Sequence, residues 1–128
     1  MRRSFNKYGV SPKEARTSDG IVFASKWEKE AYEIIRDRIG ISNFSLQPSY
    51  ELQEKFRDVD GKAIRAIKYN ADFLLFETHI VDTKGFETDV FKMKEKMFKF
   101  KFPGQRIIKL KTKKQLREFL ESLDEKEI

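Results

Sequence analysis

Two aspartates and a lysine carry the chemistry this sequence could perform. Asp82 and Lys84 lie in Ile80-Val81-Asp82-Thr83-Lys84, where the two-residue period of a strand sends both side chains to one face. Upstream, Asp72 interrupts Tyr69-Asn70-Ala71-Asp72-Phe73-Leu74-Leu75-Phe76. A bare carboxylate among apolar neighbours is costly to bury, so it needs a partner. One candidate is Lys84, in an ion pair that leaves the other aspartate solvated at a strand end. The other is a hard divalent cation. Mg²⁺ prefers oxygen ligands and keeps several waters, so two carboxylates and a backbone carbonyl suffice. Spacing alone leaves both readings open. Asp60/Lys62 across a glycine turn and Asp124/Lys126 in a charged tail repeat the Asp-x-Lys spacing and read as solvated surface.

The hairpin between the two aspartates decides whether they can meet. They share a face only if residues whose numbers add to an even value pair, as Leu74 with Asp82 would. That requires an odd loop, such as Glu77-Thr78-His79, or a bulge. A two-residue turn at Glu77-Thr78 would put them on opposite faces. A third carboxylate comes from a helix whose apolar arc is Trp27, Ala31, Ile34, Ile35 and Ile39. Glu28 falls inside that arc and Glu30 beyond its margin. Ser25-Lys26-Trp27-Glu28 is also a capping box, so Glu28 reads equally as a helix cap or as a group pointing at a metal. Lys94 projects on the apolar side of a second helix and could reach a phosphate, although a snorkelling lysine explains it as well. His79, the only histidine, reads as exposed beside the hairpin loop and without chemistry.

Around these residues the order reads α-β-β-β-α-β-α. The polar stretch up to Asp19 reads as a weakly structured basic arm, and Ile21-Val22-Phe23 as a strand stub. A helix opens at Ser25 and stops at Gly40. Phe44–Leu52 is a strand broken at Pro48 near a sheet edge. Asp58-Val59-Asp60-Gly61 is a turn, Ile64–Phe76 a second strand and His79–Lys84 a third. Thr88 or Asp89 caps the second helix, with Val90, Phe91, Met97 and Phe98 as its apolar side, and Pro103-Gly104 ends it. Ile107–Leu110 is a short strand. Thr112-Lys113-Lys114-Gln115 has capping-box spacing and leads a final helix through Leu123. The three middle strands suit an antiparallel meander, and the strand after the second helix joins it by a crossover.

Composition bounds the rest. With 128 residues the chain reads as one domain, residues 20–123 forming its core. No cysteine is present, which removes disulfides, thiol nucleophiles and cysteine-ligated metals. No apolar run approaches a membrane span and the first residues lack a signal-peptide core, so the expected location is cytoplasmic, with no membrane partner. Twelve phenylalanines argue against disorder despite 38% charged residues. The net charge of +6 suits a polyanionic partner without naming one.

Asp72 followed by Asp82-Thr83-Lys84 within this order resembles the PD-(D/E)XK nuclease superfamily. More narrowly, the blocks Phe23-Ala24-Ser25-Lys26-Trp27-Glu28, Leu46-Gln47-Pro48, Tyr69-Asn70-Ala71-Asp72-Phe73 and Val81-Asp82-Thr83-Lys84-Gly85-Phe86, extended by Phe91-Lys92-Met93-Lys94-Glu95-Lys96, resemble a small phage and prophage family. That family is described as endonuclease I-like, after the Holliday-junction-resolving nuclease of short-tailed coliphages. The likeness spans Phe5 to about Pro103. It implies an α/β fold with a restriction-endonuclease-like αβββαβ core, a mixed sheet flanked by helices, and here an extra C-terminal helix. It also implies that Asp72 and Asp82 hold Mg²⁺ or Mn²⁺ with the Thr83 carbonyl, and that Lys84 activates water and stabilises charge on the phosphate. Glu28 would bind a second metal or its water. Ala71 stands where the superfamily often has proline, and Asp82 where glutamate is common; neither change removes a ligand. The expected activity is metal-dependent hydrolysis of branched or structured DNA, by a homodimer if two strands are cut. Arg2, Arg3, Lys7, Arg16, Lys26 and Lys94 are the expected phosphate contacts. The alternative is a non-catalytic DNA-binding accessory protein that keeps the fold. Converging carboxylates that repel phosphate speak against it. A purely structural or protein-binding domain comes third.

Overall fold

The computed structural model describes residues 11–84 and 86–127, with side chains to Leu123. It is an α/β structure of three helices and ten short strands among the described residues, arranged as two compact units. Residues up to Asn43 together with those from Leu110 onward form one; Phe44–Lys109 form the other. Among the described residues, no helix is long and apolar enough to cross a membrane.

The first unit begins with a 3-10 turn (Lys13–Arg16) and a two-stranded ribbon, β1 (Thr17–Ser18) against β2 (Ile21–Val22). Residues 11–19 are therefore ordered, contrary to the weakly structured arm expected there; residues 1–10 lie outside the described residues. Arg16 shows why. Its guanidinium donates to the Ser11 and Phe23 carbonyls at 2.9 and 2.7 Å, closing the segment on itself. Helix α1 (Lys26–Ile39) starts where Ser25 Oγ accepts from the Glu28 N–H at 3.0 Å. It ends at Gly40, whose φ of 89° lies in the region that favours glycine. Ala31, Tyr32 and Ile35 are buried on it, and so is Glu28, as its place in the apolar arc requires. Helix α3 (Lys113–Glu127) packs against α1, burying Leu116, Leu120 and Leu123, and runs through residues 124–127, which the sequence suggested were a tail. Its start carries the expected cap: Thr112 Oγ1 accepts from Gln115 N–H at 3.1 Å. The reciprocal bond, from Lys111 N–H to Gln115 Oε1 at 2.7 Å, reaches one residue further back than a standard box.

The second unit holds a four-stranded sheet in the order β10-β9-β8-β3, built from β3 (Phe44–Leu46), β8 (Phe73–Leu75), β9 (His79–Thr83) and β10 (Arg106–Leu110). β3, β8 and β9 form the expected antiparallel meander, with β3 at the edge. β10 joins β9 through helix α2 (Asp89–Lys101), the crossover the order demanded. The strand expected over Ile64–Phe76 is instead three: β6 (Ala63–Ile64), β7 (Ile67–Asn70) and β8. β7 pairs with β4 (Ser49–Gln53), from Ser49 to Glu51, in the register that β8 keeps with β3, and a bulge between Glu51 and Gln53 shifts it beyond. Between them Gln47 N–H donates to the Asp72 carbonyl at 2.9 Å and Ala71 N–H to the Pro48 carbonyl at 3.0 Å. One long ladder thus bends at Pro48 without slipping, and Gln47, at φ 50°, absorbs the turn. Asp72 sits at that bend. β6 pairs with β5 (Phe56–Arg57) across the Asp58–Gly61 turn.

Helix α2 is capped by Thr88, whose Oγ1 accepts from Phe91 N–H at 3.0 Å. It buries Phe91 and Phe98 against Leu52, Tyr69, Ala71 and Ile80, with Met97 packed on the edge of the cluster. Val90, expected on this side, is exposed: it lies about 100° round the helix from its neighbour Phe91, which faces the core together with Phe98.

Candidate functional site

The β8–β9 hairpin meets the condition set by the sequence. Leu75 pairs with His79, Leu74 with Ile80 and Phe73 with Val81, leaving an odd loop of Phe76-Glu77-Thr78. This loop lies one residue before the suggested Glu77-Thr78-His79, and the pairing differs from Leu74 with Asp82. The parity is the required one. Continued one step, the register sets Asp72 directly across from Asp82 on the face that carries Leu74 and Ile80.

The side chains are linked accordingly. Asp82 is 1% exposed. Its Oδ1 accepts from the Asp72 N–H at 3.2 Å, and its Oδ2 accepts from the Tyr69 hydroxyl and lies 3.5 Å from Lys84 Nζ. Asp72 Oδ2 accepts from both the N–H and the hydroxyl of Thr83, at 2.8 and 2.7 Å. Lys84 Nζ also stands 4.2 Å from the centre of the Phe91 ring, so a salt link and a cation–π contact hold the ammonium from two sides. The structure brings Asp72, Asp82, Thr83 and Lys84 together.

Electrostatics mark this cluster. Burial raises the Asp82 pKa above the ordinary carboxylate range, and the charge of Asp72 adds to it; the Tyr69 hydrogen bond and Lys84 work the other way. The Tyr69 hydroxyl is pushed well up, first by burial and then by Asp82. Two facing carboxylates are hard oxygen donors that repel each other, a repulsion that Lys84 eases on one side and a divalent cation would relieve. The donor set therefore fits Mg²⁺ or Mn²⁺. Among the described residues no group of three or more His, Asp or Glu could hold an ion, so the remaining ligands would be a carbonyl and waters.

Glu28 is buried on α1 of the first unit, 4% exposed, with its N–H given to the Ser25 cap. The guanidinium of Arg16, an expected phosphate contact, donates to two backbone carbonyls. Lys26 is exposed at the first position of α1, and Lys94 is half-buried on α2. Arg2, Arg3 and Lys7 lie outside the described residues. His79 is half-buried rather than exposed, its Nδ1 2.8 Å from the Thr78 hydroxyl. Sequence reasoning missed two features. Tyr69, whose hydroxyl donates to Asp82, carries no local sign of that role, since the two lie thirteen residues apart. Lys109 on β10 pairs with Glu95 and Glu87, at 3.1 and 3.4 Å, so one α2 carboxylate is already neutralised.

Residues 6–117 match a family model described as a protein of unknown function, DUF1064. No curated protein and no solved structure matches the chain. The matched segment contains Asp72, Asp82, Thr83, Lys84 and Tyr69, with all ten strands and helices α1 and α2, and ends within the first turns of α3. By that match the chain belongs to the DUF1064 family.

Proposed function

We propose that this protein is a Mg²⁺- or Mn²⁺-dependent DNA endonuclease of the PD-(D/E)XK kind, acting on branched or structured DNA. The observation that carries the reading is the register that opposes Asp72 and Asp82, with Lys84 Nζ 3.5 Å from the second carboxylate. Asp72 and Asp82 would hold the ion with the Thr83 carbonyl. When bound, it would lower the pKa of a water and neutralise charge on the phosphoryl oxygens. Tyr69 and Thr83 orient the two carboxylates through the hydrogen bonds described above, as outer partners of metal ligands do. Lys84 supplies a fixed cation toward the phosphate, and the buried walls of Ile80 and Phe91 keep the field of these charges from being screened. Cutting both strands of a junction calls for two such sites, hence a homodimer.

The test is a panel of linear, nicked, flap, fork and four-way DNAs incubated with the protein. Cleavage in Mg²⁺ that stops in Ca²⁺ or chelator, with binding retained, is the expected result. Binding without cleavage under every metal condition would instead favour the non-catalytic accessory protein.

A further inference from the structure

The β5–β6 ribbon has two unlike faces. Phe56 pairs with Ile64 and Arg57 with Ala63, and Asp58 N–H donates to the Lys62 carbonyl in the same register. Strand alternation therefore puts Phe56, Asp58, Lys62 and Ile64 on one side. Arg57 and Ala63 lie on the other, and the register carried one residue further sets Lys55 across from Arg65 beside them. That second face has three cations and no carboxylate. Lys55, Arg57 and Arg65 are all exposed, and among the described residues none of them forms an ion pair. Arg57 is aimed along the ribbon by a hydrogen bond to the Gly61 carbonyl at 2.9 Å. Two acids stand at the tip: Asp58, on the opposite face, whose Oδ1 accepts from the Asp60 and Lys62 N–H groups, both at 2.9 Å, and the exposed Asp60. Lys68, at the base, sits across from Glu51 in the β4–β7 register.

The ribbon has no use in the core. Val59 at its tip is 98% exposed and Phe56 is 46% exposed. Shallow concavities of about 360 and 610 Å³ flank it, both lined by Lys55 and Arg65, the larger one also by Glu51, Glu54 and Lys68 toward the base. A narrow, tightly turned, two-stranded ribbon is one of the few elements that a B-DNA major groove, about 12 Å wide, admits. Uncompensated cations on one face complement its phosphate edges.

We propose that the Lys55–Arg57–Arg65 face of this ribbon seats on the phosphate backbone of duplex DNA. The partner rests on the DNA-directed reading above, while the role assigned to the ribbon is binding and is independent of cutting. The experiment is fluorescence anisotropy of a labelled DNA duplex with the full chain in chelator, across a salt series. The protein is compared with the triple variant Lys55→Gln/Arg57→Gln/Arg65→Gln and with the charge-keeping Lys55→Arg/Arg57→Lys/Arg65→Lys. The glutamine variant is expected to bind at least about tenfold more weakly. Its log–log salt dependence should be shallower by roughly 2 to 3, since each phosphate contact contributes about 0.9. The charge-keeping variant should bind nearly as the parent does. Parent and glutamine variant sharing one affinity and slope, or a parent that binds no duplex, overturns the proposal, and so does equal loss in both variants. Binding as expected without Mg²⁺-dependent cleavage would keep the ribbon's role and remove the nuclease.

Discussion

At the scale of single residues the account turns on how Asp82 is held. Its buried carboxylate keeps its proton more tightly in the folded chain than in the unfolded one, because burial and Asp72 outweigh Tyr69 and Lys84. The sign follows from linkage: the stability due to that raised pKa is present at low pH and lost as pH rises through the folded value. A cation that binds the ionised pair acts in the opposite direction. Mg²⁺ is therefore expected to raise the melting temperature more at neutral than at acidic pH, its binding adding about 2.7 kcal/mol of stability at a hundredfold excess over Kd. Thermal scans of Asp82→Asn should show no such increment. Tyr69→Phe leaves a buried carboxylate one donor short. It should destabilise the fold by about 1–3 kcal/mol in denaturant titrations and weaken metal affinity or activity by about 10–100-fold.

At the scale of elements the three-residue loop does the positioning. Phe76 and Glu77, at φ 52° and 64°, occupy the left-handed region, where a side chain costs about 1–2 kcal/mol. Glycine removes that cost but gives back part of it as lost chain freedom. Glu77→Gly is expected to raise unfolding free energy by up to about 1 kcal/mol and leave the register intact; a loss of stability would mean that the loop is not strained. Much of this level was legible in the sequence. Ser25, Thr88 and Thr112 are caps, Pro48 is a break, and the parity of the hairpin could be stated as a condition before the loop was known. The splitting of Ile64–Phe76 into three strands was not legible. The bend is imposed from the partner strand at Gln47-Pro48, and a continuous β-like pattern carries no mark of it. The backbone hydrogen bonds of Arg16 were hidden for a similar reason, since the carbonyls that take its guanidinium come together only after β1 and β2 pair.

At the scale of the whole molecule the excess of cations, 27 Lys and Arg against 21 Asp and Glu, is unevenly used. Lys109 and Arg36 answer carboxylates within their own units, while the β5–β6 ribbon keeps three cations unanswered. Composition could announce a polyanionic partner but not which cations remain free, because that depends on pairings across strands and helices far apart in sequence. The acidic pair and its lysine were readable from spacing because they lie on one hairpin. Tyr69 was harder to see, since its hydroxyl reaches Asp82 only through the bent ladder of β7 and β8. The central claim is that Asp72 and Asp82 share a cation beside Lys84 and that hydrolysis depends on it. The most direct measurement is the cleavage rate of four-way and forked DNA in Mg²⁺ by the parent chain, Asp72→Ala, Asp82→Ala and Lys84→Ala, with DNA binding read in parallel. Abolished cleavage in both aspartate variants, a rate lower by about 10²–10³-fold for Lys84→Ala and preserved binding in all three is the predicted result. Cleavage by Asp82→Ala at the parent rate would contradict the account.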